Sequence, residues 1–300
     1  MPLRNEQTML LKGQIIKGVG GLYTVVTEEG NVKCKAKGKF RKEKITPLVG
    51  DYVTVSINGA DDNVIEAIEE RKNKLVRPPV ANIDKLFIVI SVTRPLPNTA
   101  VIDKMTVLAE KNKIEPVIVI TKTDLSDAEE LKKIYGSTGY RIYTFSDVDK
   151  SYTDAIIDEF DGCLCAFTGN SGVGKTTLIN ALSGGLNLQT GEISDKLGRG
   201  RHTTRQAEIF SIGKGFVIDT AGFSSIDFVN DNVILAEDLQ YYFNEFSDYL
   251  SECRFTGCSH TGDKGCKICE MVEEGVISKS RYESYCQMHN ELKSVKKWKL

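Results

Sequence analysis

"GNSGVGKTT", Gly169 to Thr177, decides how the rest of the chain is read. Gly169, Gly174, Lys175 and Thr176 satisfy the phosphate-loop pattern G-x-x-x-x-G-K-[ST]. The apolar run "CLCAF" precedes the loop and "TTLINAL" follows it, so strand, loop and helix stand in the order the pattern requires. Backbone N–H groups along Asn170, Ser171, Gly172 and Val173, together with the helix start at Thr176 and Thr177, can cradle phosphates. Lys175 can reach the β- and γ-phosphates, and the Thr176 hydroxyl can ligate Mg²⁺.

The loop alone does not choose the base. Forty-five residues beyond Gly174, "GFVIDTAGF" is an apolar strand ending in Asp219, with Gly222 three residues on. This D-x-x-G reading gives Asp219 to the Mg²⁺ shell and the Gly222 amide to the γ-phosphate. Between them "GRGRHTTRQ" offers Thr203 and Thr204 as alternative switch threonines. The base signal lies upstream: "ITKTD", Ile120 to Asp124, ends a strand and reads as a guanine-recognition motif. Asp124 can accept from N1–H and the 2-amino group of guanine while the stem of Lys122 covers the base. Adenine lacks both donors, and a site built to hydrogen-bond a group rejects analogues lacking it. Thr121 stands where Asn is usual and offers one hydroxyl in place of an amide; Thr123 completes the turn. Ser146, ending "YRIYTFS", marks the last base-side loop, although Asp147 follows where Ala is common. In ordinary small GTPases the phosphate loop comes first. Here the base elements come first, so either the early motif is an ordinary polar turn after a strand or the chain is cut and rejoined in a different place.

The chain has 300 residues, 41% hydrophobic and 27% charged, with 7 prolines, the balance of a folded protein of two or three domains. Its longest apolar runs, "KLFIVISV" and "EPVIVIT", are far shorter than the roughly 20 residues of a spanning helix, and the start lacks a signal-peptide core. The expectation is a cytoplasmic protein with no membrane partner, its eight cysteines reduced, so that a cysteine cluster points to metal.

From Met9 to Ile68, "MLLKGQIIK", "LYTVVT", "VKCKAK", "YVTVSI" and "NVIEAI" alternate like short strands between glycine or acidic turns. Five strands in so short a span predict a small barrel of OB type, a class that commonly binds oligonucleotides; the pattern leaves an SH3-like barrel open. "NVKCKAKGKFRKEK" holds seven basic residues and one acidic one. Lys33, Lys35, Lys37 and Lys39 alternate, which on one strand shares one face; they make either a solvated face or a surface for a polyanion. A second basic run, "KSVKKWKL", ends the chain.

From Lys85 on, strands alternate with helical stretches, the pattern of a mostly parallel sheet with helix cover. "LAEDLQYYFNEFSDYL" reads as an acidic, aromatic helical stretch, followed by a cysteine-rich loop and a last helix. Ser280 and Glu283 form a capping box for that helix, and Tyr282, Tyr285, Met288, Leu292 and Val295 give it an apolar face.

Taken in order, "GKFRKEKITPLVGDYV", "RKNKLVRPPVANIDKLFIVIS", "TKTD", "GNSGVGKTTLINAL", "GRHTT", "DTAGF" and the cysteine loop closely resemble the circularly permuted GTPases of the ribosome small-subunit-dependent GTPase A (RsgA) family. The resemblance implies an α/β multidomain chain: an OB barrel over 1–70, a permuted P-loop GTPase domain over 71–228 and a helical zinc-binding domain over 229–300. It implies GTP and GDP with Mg²⁺, one structural Zn²⁺, and a monomer binding the small ribosomal subunit and its rRNA late in maturation, with ribosome-stimulated hydrolysis. His202 in "GRHTT" is the residue the family suggests for positioning water, carried with Lys175 and Thr204 as catalytic candidates. Phe223 stands after Gly222 where Gln would orient that water, so hydrolysis should be slow in isolation.

"CRFTGCSHTGDKGCKIC" holds four cysteines and one histidine, one ligand more than tetrahedral zinc needs. Spacing by itself favours Cys266 with Cys269. The family pattern instead matches Cys253, Cys258, His260 and Cys266. Two other functions fit parts of the sequence: an RNA-binding module using nucleotide structurally, which predicts no hydrolysis, and a P-loop ATPase, which predicts an ATP preference.

Overall fold

The computed structural model describes residues 9–58, 62–76, 78–149, 152–183, 207–219 and 234–293. β1 (Met9–Val19), β2 (Leu22–Thr27) and β3 (Gly30–Ala36) form a meander, followed by a short helix α1 (Gly38–Lys42), β4 (Tyr52–Ile57) and β5 (Val64–Ile68). β1 pairs antiparallel with β2 and β4, while β3 runs parallel to β5, so the five strands close on themselves in the order of an OB-type barrel. A register shift between Ile15 and Lys17 bends β1 so that it serves both neighbours. Ile15, Val25, Cys34, Val53, Val55 and Ile65 fill the interior.

The four alternating lysines do not share one strand face. Lys33 and Lys35 are exposed on β3, but the strand ends at Ala36 and Lys39 lies in α1. Buried Phe40 anchors that helical turn and draws the chain out of the extended form, while Lys37 pairs with Glu66 of β5.

A small hairpin, β6 (Lys74–Leu75) and β7 (Val80–Ala81), leads into alternating elements. These are β8 (Lys85–Ser91), α2 (Thr99–Lys111), β9 (Glu115–Thr121), α3 (Glu129–Tyr135), β10 (Arg141–Phe145), α4 (Thr153–Asp158), β11 (Leu164–Thr168), α5 (Lys175–Leu182), β12 (Glu208–Ile212) and β13 (Gly215–Asp219). In space the order is β10-β9-β8-β11-β13-β12, parallel except for β12. β12 also pairs with barrel strand β1, so one sheet runs from the barrel to β10, with Lys17 and Glu208 2.9 Å apart at the seam. Gly50 lies at the same junction with φ 95°, and a Cβ there would stand 2.0 Å from the Ala81 carbonyl oxygen, so only glycine fits.

The central strands are buried on both faces. Leu86, Ile88, Ile90, Ile118 and Ile120 face one core, and Phe87, Val89, Val117 and Val119 the other. Phe87 stacks on Phe160 and Phe167 at 4.8 and 4.9 Å. The strand sequence reverses direction between β8 and β11, and ligands of such sheets bind at the carboxyl ends beside that reversal. Among the described residues no helix is long and apolar enough to cross a membrane.

The segment expected to be helical before the cysteine loop is instead a series of 3-10 turns, Leu239–Tyr242, Asn244–Phe246 and Leu250–Glu252. Tyr, Phe, Asn, Asp and Ser are weak helix formers. Phe243 takes an extended conformation and puts its ring 5.2 Å from those of Phe246 and Tyr285. Two helices follow, α6 (Lys267–Glu273) and α7 (Lys279–Leu292).

The expected capping box also fails: Ser278 is the N-cap of α7. Ser280 lies in the first turn, where its hydroxyl meets that of Thr99 at 3.1 Å, and Glu283 faces Lys279. Arg281, in the same first turn, faces inward. Its guanidinium is fully buried, donating to both Glu245 oxygens at 2.7 and 3.0 Å and to Asp103 of α2 at 2.8 Å. Tyr285, Met288 and Leu292 share the buried face, while Val295 lies outside the described residues.

Candidate nucleotide site and thiol–imidazole cluster

β11 is buried throughout and delivers the chain to Gly169 beside β8. Gly169 has φ 140°, and a Cβ there would lie 2.2 Å from the Val89 carbonyl oxygen, which fixes glycine at the loop entry. Gly174 is left-handed and caps α5. Asn170 and Ser171 are exposed, whereas Val173 turns its side chain into the core and offers only its backbone to a ligand. Lys175 donates to the carbonyls of Gly169 and Asn170, and burial lowers its pKa from the usual lysine range. Thr176 is half-buried at the helix start and Thr177 is exposed.

The base-side strand is tied to this loop by two side chains. Thr121 is buried, and its hydroxyl has two carbonyl acceptors, Val173 at 2.5 Å and Ile90 at 3.0 Å. One hydroxyl hydrogen serves both, and the shorter contact takes most of it. Lys122, at φ 60°, donates from Nζ to Gly172 O at 2.8 Å and to Arg94 O at 2.6 Å, so its stem spans from β9 to the phosphate loop. Asp124 is exposed beside this bridge and has no hydrogen-bond partner among the described residues. The Thr123 hydroxyl donates to Phe145 O at 3.4 Å, and Ser146 Oγ accepts from the amides of Val148 and Asp149, which shapes the rim.

Asp219 ends β13 one residue beyond the Ala166–Ile218 pairing with β11, so its backbone stands at the carboxyl edge next to the phosphate-loop strand. His202, Thr203, Thr204, Gly222 and Phe223 lie outside the described residues. The loop carrying Arg94 was not legible as part of the site: its contribution is a backbone carbonyl, which leaves no mark in the residue type.

The second cluster is compact. Donor atoms of Cys253, Cys258, His260 and Cys266 all lie within 4.8 Å of one another. His260 Nδ1 is 3.5 Å from Cys253 Sγ and 3.4 Å from Cys266 Sγ. In a tetrahedron with metal–sulfur bonds of about 2.3 Å and a metal–nitrogen bond of about 2.0 Å the nitrogen–sulfur edges are about 3.5 Å, which the two His260 separations match. Burial raises the thiol pKa values of Cys258 and Cys266 and lowers that of His260. A metal ligand set needs a neutral imidazole and thiolates, and these four donors can supply both. Cys269 points elsewhere, its sulfur 3.2 Å from the Tyr282 hydroxyl.

The family model described as "RsgA GTPase" matches residues 68–229, and that described as "RsgA N-terminal domain" matches residues 12–65. The chain is 41% identical over 292 residues to the small ribosomal subunit biogenesis GTPase RsgA of Halalkalibacterium halodurans, covering 95% of this chain and 98% of that one. It is 43% identical over 293 residues to RsgA 1 of Listeria monocytogenes, covering 96% and 99%. The crystal structure of YjeQ from Thermotoga maritima superposes with a TM-score of 0.82 at 35% identity, covering 96% of this chain and all of that one. The structure of YloQ, titled a circularly permuted GTPase, superposes at 0.80 with 34% identity over 98% and 99% of the two chains. With phosphate loop and base strand joined in permuted order, and with relatives matched end to end, the chain belongs to the RsgA family of circularly permuted GTPases.

Proposed function

We propose that this GTPase acts in biogenesis of the small ribosomal subunit, binding the subunit and its rRNA in the GTP state and leaving after hydrolysis that the subunit stimulates. The observation that carries the reading is the pair of side chains on the base strand whose hydrogen bonds end on the phosphate loop, Thr121 on Val173 and Lys122 on Gly172. They make one pocket of two motifs that the chain order separates.

In that pocket the Asp124 carboxylate accepts from N1–H and the 2-amino group of guanine, and the Lys122 stem lies along the base. Thr121 positions the two loops relative to each other and leaves base selection to Asp124. The loop amides and the start of α5 hold the phosphates, and Lys175 moves from its carbonyl contacts to the β- and γ-oxygens. Thr176 and Asp219 would hold Mg²⁺, which when bound neutralises charge between those phosphates. Gly222 would donate its amide to the γ-phosphate, Thr203 or Thr204 would close the site, and His202 would orient the attacking water. Phe223 cannot, which accounts for dependence on the subunit.

Cys253, Cys258, His260 and Cys266 would hold zinc, a structural site because four protein ligands leave no open position. The exposed lysines of β3 and α1 and the basic C-terminal run carry rRNA affinity, with a steep salt dependence. The chain acts as a cytoplasmic monomer with domains 1–70, 71–228 and 229–300. The end of β5 at Ile68 supports the first boundary.

The test is hydrolysis of GTP and of ATP by the full chain, with and without purified small subunits. Slow GTP turnover that rises with subunits, and none with ATP, is expected. Absence of hydrolysis with subunits present, or a preference for ATP, would overturn the proposal.

A further inference from the structure

We propose that Gln240, which lies outside the cysteine loop, is a positioning residue of the metal centre: it fixes the His260 ring hydrogen on Nε2 and so makes Nδ1 the ligand. The inference rests on reading the four-donor cluster as a zinc site.

The argument starts from the amide's other end. Gln240 Nε2 donates to Glu237 O at 2.8 Å. A carbonyl oxygen only accepts, so that end of the side chain is the NH₂ group and the opposite end is the oxygen. That oxygen, Oε1, lies 2.8 Å from His260 Nε2. Oε1 also only accepts, so Nε2 carries the ring hydrogen. A metal-ligating imidazole is neutral and has one N–H. Nδ1 is therefore bare, and it is the nitrogen that faces the sulfurs of Cys253 and Cys266 at 3.5 and 3.4 Å.

Sequence proximity does not provide this control. Gln240 sits in the turn Leu239–Tyr242, whose Leu239 is fully buried, so the turn is anchored in the core independently of the metal loop. Phe246 and Tyr285 flank the ring at centroid distances of 6.3 and 6.4 Å, and the Tyr285 hydroxyl donates to Ser259 O at 2.9 Å. His260 itself sits at φ 57°, a conformation a β-carbon makes costly, so its pose depends on such outside contacts. Partners that hold the non-ligating nitrogen of a metal-bound histidine fix its tautomer and raise its basicity.

The experiment is zinc competition against a chromophoric chelator with the full chain, comparing wild type, Gln240→Leu and Gln240→Glu. Gln240→Leu removes the acceptor at similar volume and should weaken zinc binding about ten- to hundredfold, the usual range for such partners. Gln240→Glu keeps an acceptor oxygen toward His260 while losing the donor to Glu237 O, and should weaken zinc binding less than the leucine variant. A loss below about tenfold in the leucine variant, or equal losses in both variants, overturns the proposal. Nitrogen-correlated NMR of the His260 ring in the zinc-loaded wild type reads the same point without mutation. A hydrogen on Nε2 supports it, and one on Nδ1 overturns it even where neither variant folds.

Discussion

The nucleotide pocket and the thiol–imidazole cluster are built in opposite ways. The pocket collects residues 31 to 52 positions apart through side chains that end on backbone carbonyls, Thr121 on Ile90 and Val173, Lys122 on Gly172. A parallel sheet with two buried faces holds it, so its geometry is set before any ligand arrives. The cluster draws its four donors from Cys253 to Cys266, a loop whose described secondary structure is limited to turns up to the start of α6. Inside the loop the Asp263 carboxylate accepts from the Ser259 amide and hydroxyl, and from outside Gln240 and Tyr285 reach His260 and Ser259, so a metal ion would add the link that joins all four donors. Reordering the chain therefore leaves the pocket intact because a sheet specifies positions in space, whereas a metal loop depends on contiguous sequence.

The sharpest way to break this contrast is to remove a single donor. Cys266→Ser should lose stoichiometric zinc and disorder the loop, while GTP affinity changes by less than about threefold, since the pocket is preorganised by the sheet. Cys269→Ser should keep its zinc. Metal content and GTP titration on both variants check this; zinc retained in the first and lost in the second would reverse the assignment of ligands.

Next in size is the link between the two regions. Arg281→Met leaves Glu245 and Asp103 buried without their cation, and breaking a buried pair on one side costs about 3–5 kcal/mol. Chemical denaturation should show that loss. A methionine variant as stable as wild type would mean that the two carboxyls take up protons at little cost when the guanidinium is gone.

Arg281 also marks where sequence reading stops. Among Tyr285, Met288 and Leu292 a charged side chain reads as the solvent edge of a helix, because its partners are 36 and 178 positions away. The same limit hid Gln240 and Arg94, one acting through an amide orientation and the other through a carbonyl. By contrast, the barrel strands announce themselves by period-two alternation between turns, and the phosphate loop by glycines whose conformations other residues rarely adopt. The turns around Phe243 read as one helical stretch by their length, whereas weak helix formers and ring packing against Tyr285 decide otherwise. The four clustered donors came from the family pattern; spacing pointed toward Cys269, whose thiol meets Tyr282.

Thr121→Val gives a smaller effect, and it separates tying from base recognition. The exchange removes the hydroxyl and leaves two buried carbonyls, Val173 and Ile90, without that donor, at a cost of about 1–3 kcal/mol. GTP, GDP and other nucleotides should all weaken together, because the change loosens the loop junction and not the base contact. A variant that loses guanine over adenine selectivity would instead place Thr121 at the base.

The last effect lies at the opposite edge of the sheet and is full at neutral pH. Glu159 is buried, which by itself would raise its pKa, but hydrogen bonds from Arg141, Lys85 and Tyr143 outweigh burial and bring it down to about 2. A carboxylate with a depressed folded-state pKa stabilises the fold fully above its unfolded value near 4.5 and loses that contribution as pH falls toward 2. Wild type should therefore be more stable than Glu159→Gln at pH 7, with the gap closing between pH 4.5 and 2. Denaturation midpoints across that range measure it. A gap that stays constant with pH would mean that Glu159 acts through its shape and neutral hydrogen bonds, so that this edge, like the nucleotide pocket, is held by packing in the sheet and not by charge.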